Sequence, residues 1–276
     1  MSSLVKRVLA AVVAIPILLA VVFGAPSGVF DAVAAAALLW ALHELYRMAD
    51  HGPMKPMPLP GFLSATLILA SVPAEKYGFG AREANGLSLI LVGLSYLASG
   101  RSLKPAMGSL AVTGFGAFYV GVLGSYLLLL RRLVDGPWIL LFLFVATWAV
   151  DTGGYFAGKS LGRHKMSPLV SPNKTWEGLA GGFVMCALAL AALSVWAPVV
   201  RAWGLGPVAL ALLALLFTLG GQVGDLVESL MKRSLDVKDS GSVLPGHGGM
   251  LDRIDSLLFN APLLYLFMEV WARLKA

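Results

Sequence analysis

The sequence reads as an all-α polytopic membrane helix bundle with about nine transmembrane helices, and three observations lead there. Hydrophobic residues make up 58% of the 276-residue chain and charged residues 13%, with a mean hydropathy of +0.81, which excludes an ordinary soluble domain. Apolar runs recur at the length a bilayer core requires, roughly 17–25 residues per helix. Lys and Arg are also unevenly spread between alternate loops, as the positive-inside rule expects.

The runs cover residues 4–23, 28–48, 61–74, 85–99, 106–130, 137–158, 178–200, 205–231 and 256–271. The first follows Lys6 and Arg7 and has the outline of a signal peptide. However, Pro26-Ser27 is a poor cleavage site and the run is long enough to span. The third and fourth are short, so they tilt, extend into polar flanks or re-enter. Small residues at four-residue spacing (Ala117, Gly121 and Ser125; Gly154, Gly158 and Gly162; Gly220 and Gly224) let helix backbones approach closely. The expected organisation is one integral membrane unit: about five helices in 1–135, then about four helices with two polar loops in 136–276. The single cysteine, Cys186, excludes a disulfide framework and a Cys-based zinc site. A net charge of +6 without any basic block argues against nucleic-acid binding and for a topology signal.

With nine spans, the N-terminal tail shares a side with the loops after the second, fourth, sixth and eighth. Two thirds of the 21 Lys and Arg residues fall there. The expectation is a cytoplasmic N-terminus, with both long polar loops open to the cytoplasm of a bacterial inner membrane.

Polar residues inside apolar runs point to a site. Asp225, Glu228, Lys232 and Arg233 interrupt the eighth run, although one charge at the bilayer centre costs roughly 2.5–3.5 kcal/mol. Gly221, Asp225, Glu228, Ser229 and Lys232 share one helical face. A loop with Ser240-Gly241 and Pro245-Gly246-His247-Gly248-Gly249 follows, and Asp252 and Asp255 open the last run. Carboxylates at the end of one helix and the start of the next, joined by a glycine-rich basic loop, suit a metal-bound polyphosphate. Upstream, Asp151 lies in an uncharged run, followed by Lys159, Arg163 and Lys165 and then by Ser171 to Glu177. Ser171 or Thr175 can cap the next helix, and Lys174 offers a mobile point charge for phosphate oxygens. Topology alone is the plainer reading of Arg163 and Lys165. His43, Glu44 and Arg47 read as an interfacial cluster, and Trp176 as an interface anchor.

Ser229, Lys232, Arg233, Lys238, Asp239, Gly241, Pro245, His247, Gly248, Gly249, Asp252, Arg253 and Asp255 follow the pattern S-x-x-K-R-x4-K-D-x-G-x3-P-x-H-G-G-x-x-D-R-x-D. In this the chain resembles the phosphatidate cytidylyltransferases, or CDP-diacylglycerol synthases. The stretches DTGGYFAGK and SPNKTWEG resemble other segments of that family, and the likeness runs from about 149 to 260. Asn173 departs from it, so no phosphate role is carried there. The resemblance implies that CTP and phosphatidic acid give CDP-diacylglycerol and pyrophosphate, with Asp225 and Asp252 holding Mg²⁺, expected as two ions. Glu228 and Asp255 stand beside them as ligands or orienters. Asp225, Lys232, Asp252, Asp151 and Lys174 are then the catalytic candidates. Ser229, Arg233, Lys238, His247, Gly248, Gly249, Arg253, Lys159 and Lys165 are the substrate-binding candidates. The expected partners are CTP, phosphatidic acid and membrane lipids, and the sequence is compatible with a homodimer.

Two other readings compete. A CTP-dependent lipid kinase of related fold transfers the γ-phosphoryl group and releases CDP. A cation-coupled transporter also carries intramembrane acids, but needs polar residues near mid-membrane and access from both sides.

Overall fold

A computed structural model describes residues 12–241 and 248–275. Helix starts follow local chemistry. α1 (Val12–Gly24) ends just before Pro26, and α2 (Ser27–Asp50) begins just after it. Proline, whose missing N–H costs nothing in a first turn, opens α3 (Pro58–Ala74) and lies in the first turn of α6 (Gly136–Leu161). Between these come α4 (Ala81–Ala98) and α5 (Ala106–Arg132). The Thr175 hydroxyl caps α7 (Trp176–Trp196) by accepting from Gly178 N–H at 3.1 Å, which selects Thr175 over Ser171. The short α8 (Pro198–Ala202), α9 (Pro207–Ser234) and α10 (Leu251–Lys275) complete the order.

The chain is an all-α membrane protein. Among the described residues six helices, α2, α5, α6, α7, α9 and α10, are long and apolar enough to cross a membrane. α3 and α4 have 17 and 18 residues and fall outside that set. α4 still exposes Leu87, Leu89, Ile90, Leu94 and Leu97, side chains suited to lipid. The last helix begins at Leu251, five residues before the expected apolar run, so Asp252 and Asp255 sit in its opening turns. One element went unforeseen. Lys165–Ser167 (β1) and Ser171–Thr175 (β2) pair antiparallel where only loop was expected.

Two compact units divide the chain: Met1–Leu129 with Lys232–Arg253, and Leu130–Met231 with Ile254–Ala276. In the first, Tyr46 fixes the end of α2. A Cβ at Gly61 would lie 2.1 Å from its hydroxyl oxygen, and one at Gly116 2.5 Å from its ring. Those two glycines let the ring pack between α3 and α5, and its hydroxyl donates to the Thr113 carbonyl at 2.6 Å. The Thr113 hydroxyl in turn accepts from Met57 N–H at 2.8 Å. Gly121 of α5 faces Ala65 and Ile68 of α3, so that row of small residues serves packing.

In the second unit α6 and α7 meet backbone to backbone. A Cβ at Gly153 would fall 2.4 Å from the Gly181 carbonyl oxygen, and one at Gly182 2.9 Å from that of Val150. Without a hydrophobic drive between helices in lipid, such close approach carries the association. Buried Asn260 of α10 donates to the Thr147 hydroxyl of α6 at 3.1 Å, tying these helices together.

Candidate active site

In the second unit the glycines of α9 set the geometry. A Cβ at Gly224 would lie 2.5 Å from the Asp255 carbonyl oxygen, and one at Gly220 2.6 Å from Asn260 Oδ1. The Ser256 hydroxyl donates to the Gly221 carbonyl at 3.2 Å. Because α10 can approach this closely, Asp225 and Glu228 meet Asp255, and one oxygen from each lies within 4.8 Å of the others. Glu228 is 1% exposed and Asp255 9% exposed.

Three carboxylates gathered this closely, two of them buried and the Asp225 side chain 39% exposed, repel one another unless cationic charge is supplied. Part of it comes from Lys174, whose Nζ lies 2.7 Å from Asp225 Oδ2. The Ser229 hydroxyl donates to Asp225 Oδ1 at 3.2 Å, and Ser256 N–H donates to Asp255 Oδ1 at 2.6 Å. An all-oxygen set of this kind suits a hard divalent cation such as Mg²⁺.

Other expected residues of this unit lie elsewhere. Asp151 is exposed on α6 and outside the acidic triplet. Lys159 is exposed and reaches the Tyr155 ring of its own helix, with Nζ 5.6 Å from the centroid. Lys165 is exposed on β1. The hairpin is closed by Glu177, whose carboxylate lies 2.6 Å from His164 Nδ1 and accepts from Arg163 N–H at 3.2 Å.

The first unit holds a second network, centred on Asp252. Oδ1 takes Lys232 Nζ at 2.6 Å, with side chains only 14% and 11% exposed. Oδ2 accepts from Gly249 N–H at 2.7 Å, the Ser240 hydroxyl at 2.9 Å and Ser240 N–H at 3.1 Å. The two loop glycines are needed here. Gly248 has φ +78°, a left-handed conformation, and a Cβ there would also lie 2.7 Å from Asp252 Oδ2. A Cβ at Gly249 would lie 2.1 Å from the Ser240 hydroxyl and 2.4 Å from Glu44 Oε2. Arg233 donates to the Val237 carbonyl at 3.4 Å, while Lys238 and Arg253 are exposed. His247 lies outside the described residues.

Glu44 corrects the interfacial reading of its cluster. It is 3% exposed; its Oε2 accepts from Leu251 N–H at 2.9 Å and lies 3.1 Å from the Ser240 hydroxyl, whose one proton it shares with Asp252 Oδ2. Its neighbours His43 and Arg47 are exposed. The signal was an acid within an apolar run, the argument applied to Asp151. Its place near a helix end concealed it.

Comparison with known proteins places this chemistry. A family model described as "Cytidylyltransferase family" matches residues 5–271. A Bacillus subtilis protein named phosphatidate cytidylyltransferase is 38% identical over 242 residues, 84% of this chain and 86% of its own. A Staphylococcus saprophyticus protein of the same name is 36% identical over 231 residues, covering 83% and 85%. One from Brucella suis is 46% identical over 163 residues, 57% of each chain. With the family model matching nearly the whole length, the chain belongs to the cytidylyltransferase family, a family of nucleotidyltransferases.

Proposed function

We propose that this protein transfers the cytidylyl group of CTP to phosphatidate, forming CDP-diacylglycerol and pyrophosphate. Relatives bearing that name match over most of the chain. The observation that carries the reading on this chain's own residues is the meeting of Asp225, Glu228 and Asp255, with Lys174 on Asp225.

A phosphate oxygen of phosphatidate forms the new bond to the α-phosphorus of CTP. The bond from that phosphorus to the α,β-bridging oxygen breaks, and pyrophosphate leaves with the electron pair. The lipid supplies its own nucleophile, so the protein positions the two anions and offsets charge. Lys174 and Lys232 contribute mobile point charges from partly buried positions, which limits their hydration and strengthens their pull on phosphate oxygens. Asp252 orients Lys232, its two oxygens already taking the ammonium and the loop donors. Exposed Lys159, Lys165, Arg233, Lys238 and Arg253 draw the anionic substrates in. Mg²⁺, expected as two ions, would be held by Asp225, Glu228 and Asp255 and would supply charge neutralisation on the phosphate oxygens. Asp252, expected as a metal ligand beside Asp225, takes Lys232 Nζ within the first unit.

The reading extends to topology. Counting α1, α3 and α4 with the six long helices gives nine spans in this reading, and the loop excess of Lys and Arg supports a reaction at the cytoplasmic leaflet of the bacterial inner membrane. There CTP arrives from water while the lipid tails stay in the bilayer. Association into a homodimer belongs to the same proposal. Purified protein given CTP, Mg²⁺ and phosphatidate should release pyrophosphate only when the lipid is present. Lipid-independent release, or none at all, would sink the reading.

A further inference from the structure

Glu44 is the buried acid that the reaction, as derived, does not use. It sits in the last third of α2, where an unsolvated carboxylate is expensive. Among the described residues no Lys or Arg pairs with it. Among the described residues its Oε1 is buried without a hydrogen-bond partner, so the compensation seen there falls on Oε2.

Oε2 has two donors in reach, both on the segment that carries Asp252, and it shares the single Ser240 hydroxyl proton with Asp252. It accepts from Leu251 N–H at 2.9 Å, capping the first turn of α10 from a residue 207 positions away. It also lies 3.1 Å from the Ser240 hydroxyl, which stands 2.9 Å from Asp252 Oδ2. Ser240 therefore joins Glu44 to Asp252, and Asp252 holds Lys232 at 2.6 Å. Backbone crowding protects the arrangement. A Cβ at Gly241 would lie 2.5 Å from Glu44 Oε1, and one at Gly249 2.4 Å from Oε2. Tyr46, two residues on, locks α2 between α3 and α5, so the carboxylate is carried on a fixed support. The same carboxylate borders a cavity of about 430 Å³ lined also by Trp40, His43, Arg47, His51 and Asp239.

We propose that Glu44 is a positioning residue for nucleotidyl transfer: through Ser240 and the first N–H of α10 it sets the Asp252 carboxylate that aims Lys232. This rests on the function proposed above. Glu44 acts through Ser240 and the Leu251 N–H. Its loss should lower kcat while leaving KM for CTP little changed, because it governs where a cation points more than whether nucleotide binds.

The test uses the full chain in detergent with Glu44→Ala, Glu44→Gln, Ser240→Ala and the Glu44→Ala/Ser240→Ala double variant, measuring kcat, KM for CTP and thermal midpoint. Glu44→Ala and Ser240→Ala should each lose about tenfold or more in kcat. The double variant should be within about threefold of the worse single, since residues acting in one chain of bonds are not additive. Glu44→Gln, which keeps an accepting oxygen, should recover to within about fivefold of the unaltered protein. Unchanged kcat in Glu44→Ala or Ser240→Ala, multiplicative losses in the double, or Glu44→Gln no better than Glu44→Ala would each overturn the proposal. If Glu44→Ala does not fold, Glu44→Gln and Ser240→Ala decide by the same criteria, with their double in place of the first. The unaltered protein is assayed alongside for pyrophosphate and CDP-lipid. Its failure removes the function proposed above, whereas full activity in both it and Glu44→Ala removes only the role of Glu44.

Discussion

Asp252→Asn keeps the size of a side chain that accepts from four donors and removes its charge. If the amide oxygen takes the place of Oδ2, it still serves Gly249 N–H, Ser240 N–H and the Ser240 hydroxyl. The amide nitrogen then faces Lys232 Nζ across 2.6 Å, donor against cation. If the amide flips, the ammonium keeps an acceptor but three donors lose theirs. Either way the pair loses a charge-assisted bond worth about 1.5–3 kcal/mol, and Lys232, 11% exposed, loses this counter-charge. Breaking a buried pair from one side costs about 3–5 kcal/mol, and the three retained donors favour the lower end, about 3 kcal/mol. At about 2–4 °C per kcal/mol the thermal midpoint in detergent should fall by about 6–12 °C. Adding Lys232→Met removes the cation whose pair was broken and should restore part of that loss, a coupling of about 1–3 kcal/mol. A midpoint for Asp252→Asn within about 1 °C of the unaltered protein, or strictly additive losses in the double variant, would refute the reasoning.

Asp225→Asn, Glu228→Gln and Asp255→Asn should each abolish Mg²⁺-dependent turnover in folded protein; chelation should do the same reversibly, and near-normal activity in Asp225→Asn would remove the metal assignment. Gly224→Ala should destabilise by about 1–3 kcal/mol and cut activity, because its Cβ would meet the Asp255 carbonyl at 2.5 Å. Gly93→Ala, with nothing within 4 Å of its Cβ, should instead be neutral or gain up to about 1 kcal/mol, and thermal melts of the two variants separate the cases. Lys232→Ala should damage turnover far more than Lys275→Ala, whose Nζ bonds the Trp203 carbonyl; equal effects in the same assay would reduce loop charge to a topology signal.

Helix positions were largely legible in the sequence because length and hydropathy are local. The 106–130 run became Ala106–Arg132, and the 137–158 run Gly136–Leu161. The shared face of Asp225, Glu228 and Ser229 followed from helical spacing, and that face meets α10. Which acids meet was not legible, since it depends on the side from which Gly220, Gly221 and Gly224 admit α10. Asp255, read as a ligand or orienter, lies in the triplet with Asp225 and Glu228, and Asp252 takes Lys232 Nζ. Glu44 was hidden for a related reason: its partners, Ser240 and Leu251, lie about 200 residues away, beyond the reach of any local pattern. The β1–β2 hairpin was missed because Ser171–Thr175 carries Pro172 and Asn173, which have low strand propensity. Its closure comes instead from Glu177, held to His164 and the Arg163 N–H.

The fate of the label from CTP decides between nucleotidyl transfer and phosphoryl transfer. With phosphatidate and Mg²⁺ present, label on the α-phosphate should appear in a lipid product, and label on the γ-phosphate in pyrophosphate. Label from the γ-phosphate in the lipid, with CDP released, would contradict the account.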